Sequence, residues 1–176
     1  ASEGFGKRNQ NATPQDTADL LDRIAVLAHD AAIPLSATIS VAFGDPFDGE
    51  VDPAILGELA GRAAAAGAQE IALGDTIGVA TPWQVKKAVD IVRDAAPKAR
   101  LRLHFHNTRN TAIANVFAAV EAGVDVIDAS AGGIGGCPFA PRATGNVATE
   151  DVVYMLERGG FSTGIDLDKM IETGHW

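Results

Sequence analysis

Two histidines one residue apart, in Leu101-Arg102-Leu103-His104-Phe105-His106-Asn107, form the pattern in this chain best suited to hold a metal ion. The segment alternates. Leu101, Leu103 and Phe105 fall on one side of a strand, and Arg102, His104 and His106 on the other. Strand rise puts the two imidazoles on one face, about 7 Å apart at their Cα atoms, which suits two ligands of a single ion. The same spacing suits a hydrogen-bonded polar pair at a strand end, and spacing alone leaves both readings open. With four histidines and one cysteine in the chain, further ligands would be mostly oxygens. That favours Mg²⁺ or Mn²⁺ over a closed structural zinc site.

Three other segments carry groups able to do chemistry. Gly132-Gly133-Ile134-Gly135-Gly136-Cys137-Pro138 is a glycine-rich loop able to approach a ligand closely, and it delivers the only thiol. No Gly-Lys-Ser/Thr follows, so it is not a phosphate-binding P-loop. Cys137 reads either as a reactive thiol or as an inert, incidental one. Asp75, in Leu73-Gly74-Asp75-Thr76, reads as a turn cap or as a carboxylate that orients a ligand. Asn146 could cap a helix near Thr149 or lend its amide oxygen to a metal. Arg102 shares the inward face of the histidines at a deeper level and reads as a structural ion-pair partner.

These residues must be positioned by an alternation of helices and strands. Thr13-Pro14-Gln15-Asp16 and Thr81-Pro82-Trp83-Gln84 are helix starts, each with an N-cap and a proline at the first helical position. The helices run to about Ala32 and to just before Pro97. Further helices are expected at Asp52–Gly67, Asn110–Gly123, with Ile113, Val116, Phe117 and Val120 buried, Glu150–Arg158 and Leu167–Thr173. Strands are expected at Ser36–Phe43, Glu70–Leu73, Leu101–His106 and Val124–Ala129, with a short fifth near Ala143–Asn146. The chain is expected to open in a loop. Such alternation means parallel strands. An open doubly wound sheet and a (β/α)₈ barrel both fit. The barrel is favoured, because polar residues cluster after the strand ends and no G-x-G-x-x-G follows the first strand. A full barrel needs about 250 residues and this chain has 176. It reads as a single incomplete α/β domain over 1–176, a partial (β/α)₈ TIM barrel of roughly the C-terminal five-eighths.

Composition excludes several classes. A net charge of −9 argues against nucleic acid or an anionic membrane surface as partner. No apolar run has the length of a membrane span. One cysteine rules out an internal disulfide. Ala1 to Gln10 has no apolar core of a signal peptide, and the expected compartment is the cytoplasm.

Gly74-Asp75-Thr76-Ile77-Gly78, His104-Phe105-His106-Asn107-Thr108, Gly132 through Ala140, and Gly145-Asn146-Val147-Ala148-Thr149-Glu150-Asp151 resemble the 3-hydroxy-3-methylglutaryl-CoA lyase family. The resemblance covers nearly the whole chain, and its cysteine loop with the downstream Gly-Asn is the specific part. It implies a metal-dependent carbon–carbon lyase that cleaves an acyl-CoA substrate to acetyl-CoA and acetoacetate, a step of leucine degradation and ketone-body formation. It makes His104, His106 and Asn146 ligands of Mg²⁺ or Mn²⁺, and places Cys137, Asp75 and His104 in catalysis. Cys137 would be the mobile-loop acid/base, and Asp75 would lie against the substrate. Three departures stand out. The family's Asp-Arg motif on the first strand is absent. Asn107 and Asn110 replace a common Asp and Gly. Ala72 replaces a frequent Ser. The chain alone is therefore expected to be inactive, and to self-associate or form part of a longer polypeptide. Alternatives are a relative acting on another 3-hydroxyacyl-CoA or a 2-hydroxy acid, and a non-catalytic partial-barrel module.

Overall fold

In the computed structural model, which describes residues 1–138 and 145–176, the order is α1 (Glu3–Gln10), α2 (Pro14–Asp30), β1 (Ser36–Ile39), α3 (Ala54–Ala65), β2 (Glu70–Asp75), α4 (Pro82–Ala95), β3 (Arg100–Phe105), α5 (Ala112–Glu121), β4 (Val126–Asp128), α6 (Thr149–Arg158) and α7 (Leu167–His175). Local chemistry sets the helix starts. Thr13 and Thr81 accept bonds from the backbone N–H groups of Asp16 and Gln84, whose side chains accept from the threonine N–H in return. Each box satisfies amides that no helix turn can reach.

All strand pairs are parallel, in the order β1-β2-β3-β4. A doubly wound sheet reverses its order at a switch point. Here the order runs straight through, and α2, α3, α4 and α5 pack side by side as one layer. This is the wall of a (β/α)₈ barrel, and the expected partial barrel of parallel strands is present. Ile71, Leu73, Leu101, Leu103 and Phe105 are buried under the helices against Leu56, Val85, Val89 and Val116. The opposite face carries Thr38, Ala72, Arg102 and Val126 in one register row, with Gly74, His104 and Asp128 in the next. Among the described residues the outer edges of β1 and β4 are unpaired. No described helix is long and apolar enough to cross a membrane.

Several expectations need correction. The chain opens in α1, not in a loop. That segment is polar with two glycines and buries only Phe5, so no apolar period announces it. β1 stops at Ile39 rather than Phe43, because Val41 takes φ +50 and its N–H turns to Thr76 Oγ1 at 2.9 Å. Phe117 is exposed on α5, and Ile113 and Val120 are half-buried; Ala112, Asn115, Val116 and Ala119 form the inner face instead. The expected fifth strand falls partly on residues 143 and 144, outside the described residues. Its described end adds no strand to the sheet. Val147 N–H bonds Phe105 O, and Ser130 N–H bonds Val147 O. That end thus wedges between the ends of β3 and β4.

Candidate active site

The site forms where β2, β3 and β4 end. His104 and His106 lie on the inward side of the sheet with ring centroids 5.1 Å apart and planes at 76°. Burial pushes both imidazoles below their ordinary value; the charge of His104 adds to this at His106, and Asp128 opposes it at His104. Both rings are therefore neutral at neutral pH, with a lone pair available to a ligand.

Asn146 is brought to them by the wedge. It forms a bridge with His106, its N–H bonds Gly133 O at 2.9 Å, and its Nδ2 donates to Ile134 O at 2.8 Å. The glycine loop is thus strapped to Asn146 at two points, and Cys137, half-buried and free, lies three residues beyond Ile134. Gly135 has φ +109, and a Cβ there would sit 2.8 Å from Asn146 Nδ2. Only glycine permits this approach.

Four buried side-chain polar atoms lack a hydrogen-bond partner among the described residues, and two of them are His106 Nδ1 and Asn146 Oδ1. Such atoms cost about 1–3 kcal/mol each unless something binds them. Both are donors of electron pairs, and both belong to residues that the family resemblance makes metal ligands. The set of two imidazoles and an amide oxygen suits a divalent cation. Among the described residues no cluster of three His, Cys, Asp or Glu side chains adds to it.

Asp75 is held differently. Its carboxylate accepts from Val79 N–H at 2.8 Å and Ala80 N–H at 3.2 Å, capping the turn between β2 and α4. It falls in register with Phe105, on the helix-facing side. Burial pushes its carboxyl up to about 6, against the pull of those amides and of Arg109. The unfolded carboxyl titrates near 3.8, so between these values the fold holds a proton that the unfolded chain releases. Stability contributed by the neutral form is present at low pH and declines as pH rises through about 6. We expect the difference in unfolding free energy between wild type and Asp75→Asn to shift by on the order of 2–3 kcal/mol between pH 4 and 7. Denaturant titrations at both pH values measure it, and a pH-independent difference contradicts it.

The departures have local accounts. Asn107 Oδ1 accepts from Ala112 N–H at 3.2 Å at the start of α5, a task any Asx oxygen performs. Asn110 has φ +56, a region asparagine tolerates better than most residues. Ala72 sits beside Arg102 in the register. Arg102 makes the expected ion pairs, with Glu70 at 2.9 Å and Asp128 at 2.6 Å. Glu70 and Asp128 are partners that the sequence reading does not name; alternation puts Asp128 on the same face of its strand as Val126, and only the β3–β4 register brings it level with His104.

The HMGL-like family model matches residues 1–176. Human mitochondrial hydroxymethylglutaryl-CoA lyase is 42% identical over 100% of this chain and 54% of its own. An HMG-CoA lyase structure from Brucella melitensis superposes with a TM-score of 0.91 at 40% identity, covering 98% of this chain and 61% of that one. One from Acinetobacter baumannii, in complex with coenzyme A and 3-methylmalate, gives 0.92 at 37% identity, covering 98% and 56%. The chain spans about half the length of the curated relatives it matches, whose names include mitochondrial and cytoplasmic forms.

Proposed function

Because this chain belongs to the HMGL-like family, we propose that it is the cation-binding and thiol-bearing part of a carbon–carbon lyase. That lyase cleaves 3-hydroxy-3-methylglutaryl-CoA to acetyl-CoA and acetoacetate. The observation that carries this reading is the pair of unpartnered atoms, His106 Nδ1 and Asn146 Oδ1, at the root of the cysteine loop. His104, His106 and Asn146 would hold Mg²⁺ or Mn²⁺, which when bound supplies Lewis-acid polarisation of substrate oxygens. His104 and His106 stay neutral and keep their lone pairs directed to one side of the sheet. As the C2–C3 bond breaks, the C3 hydroxyl gives up its proton to solvent and becomes the ketone of acetoacetate, and Cys137 Sγ gives its proton to the C2 carbon left with the electron pair, so that one proton leaves and one is taken up. The glycine loop brings the thiol over the substrate and excludes water. Asp75 shapes the floor between β2 and α4. The remaining barrel strands supply the acidic ligand and the cationic partner that this chain lacks.

Ala72, in place of a frequent serine, favours as second reading a neighbouring substrate, another 3-hydroxyacyl-CoA or a 2-hydroxy acid. The test joins this chain to the rest of its barrel and supplies Mg²⁺ or Mn²⁺ with hydroxymethylglutaryl-CoA. Release of acetyl-CoA and acetoacetate in equal amounts is expected. Turnover of only a shorter or 2-hydroxy substrate supports the second reading, and no turnover of any of these by a folded barrel overturns both.

A further inference from the structure

A chain of side chains, one from each strand, climbs the inward face from below the histidines to the level of His104. Ser36 Oγ on β1 donates to Glu70 Oε1 on β2 at 3.1 Å. Arg102 on β3 grips Glu70 with two parallel bonds, Nε to Oε1 at 2.9 Å and Nη2 to Oε2 at 3.1 Å. Its third arm, Nη1, donates to Asp128 Oδ1 on β4 at 2.6 Å. A guanidinium held by such a fork has its plane fixed, so its third arm points in a set direction. Glu70 is drawn below the ordinary carboxylate range, chiefly by the Arg102 guanidinium, with burial opposing and Ser36 assisting.

Asp128 is level with His104 in the β3–β4 register, and on the β2 side His104 faces Gly74, which has no side chain. The one side chain flanking His104 within its register row is therefore Asp128, whose negative charge acts on the ring through space rather than through a hydrogen bond. Left alone at the outer edge of β4, that carboxylate would sample several rotamers. Arg102 holds it.

We propose that Arg102 and Asp128 are positioning residues for His104: the clamped carboxylate selects which ring nitrogen carries the proton and so which one is offered to a cation. The inference rests on the reading that His104 is a cation ligand. An imidazole ligand is commonly oriented by a carboxylate acting on its other nitrogen, and losing that partner costs about 10–100-fold in metal affinity.

The test uses the full chain with ¹⁵N-labelled histidine. Long-range ¹H–¹⁵N spectra without cation report the tautomer of each ring. The wild type should show His104 in one tautomer, and Asp128→Asn, nearly isosteric, should mix the two while His106 is unmoved. Arg102→Met should do the same, and Arg102→Lys should restore the wild-type pattern in part. With Mn²⁺ as probe, followed by the resonance of the free ion, Asp128→Asn and Arg102→Met should each bind about tenfold more weakly. The double variant should bind no worse than either, because one acts through the other. An unchanged His104 tautomer in Asp128→Asn overturns the inference. A locked tautomer in a wild-type chain that binds no Mn²⁺ overturns the cation reading instead and leaves the Asp128–His104 pairing standing.

Discussion

Cys137→Ala, in this chain joined to the rest of its barrel, should lower turnover by about 10²-fold or more while Mn²⁺ affinity stays within about twofold. The thiol lies outside the candidate ligand set, three residues past the carbonyl that accepts from Asn146 Nδ2. Removing Sγ removes one proton and leaves the strap between Asn146 and the loop intact. The loop path is set by backbone bonds, Asn146 N–H to Gly133 O and Gly133 N–H to Ser130 O, both at 2.9 Å, and by glycine conformations that alanine at 137 does not touch. Cation titration beside steady-state kinetics therefore separates chemistry from assembly. Unchanged turnover would make Cys137 a packing residue and would shift the proton donor elsewhere.

His106→Ala should remove Mn²⁺ binding by more than the about 10–100-fold that loss of an orienting partner costs. His106 is 5% exposed, and its Nδ1 has no partner among the described residues. In the cation-free protein that nitrogen is a buried polar group without compensation, so its deletion offsets part of the packing lost with the ring. We expect unfolding free energy without cation to change by only about 1–2 kcal/mol, against near-complete loss of binding. Mn²⁺ resonance titration and denaturant melts on the same samples measure both. Retained affinity would mean that His106 Nδ1 is not a ligand, and the cation reading would then rest on the neighbouring atoms alone.

Much of this molecule is legible from residue order. Capping boxes at Thr13 and Thr81 announce their helices, because a hydroxyl and a carboxylate or amide three residues apart satisfy each other's backbone without help from the rest of the fold. The alternation from Leu101 to His106 determines a face, since a strand has a period of two whatever surrounds it. The glycine run and its cysteine are local as well. What was missed was long-range or lacked a period. α1 buries one side chain and follows no apolar stripe. Phe117 was assigned to the core by its helical position, yet smaller neighbours fill that space against α4 and α6, and no single helix states which of its faces its neighbours will cover. That the Asp75 carboxylate accepts from the amides of Val79 and Ala80 is a fact of the turn's path, which residue order does not state. Asn146 lies 40 residues from His106, and their meeting depends on a segment wedging between β3 and β4. The Ser36–Glu70–Arg102–Asp128 chain exists because parallel pairing sets four strands in one register. The sequence by itself determined which groups can bind a cation or move a proton, because those are properties of residue type and of spacing within one element. Which of them share a site was decided by the tertiary structure alone, because hydrogen-bonded register and helix packing act between elements far apart in the chain.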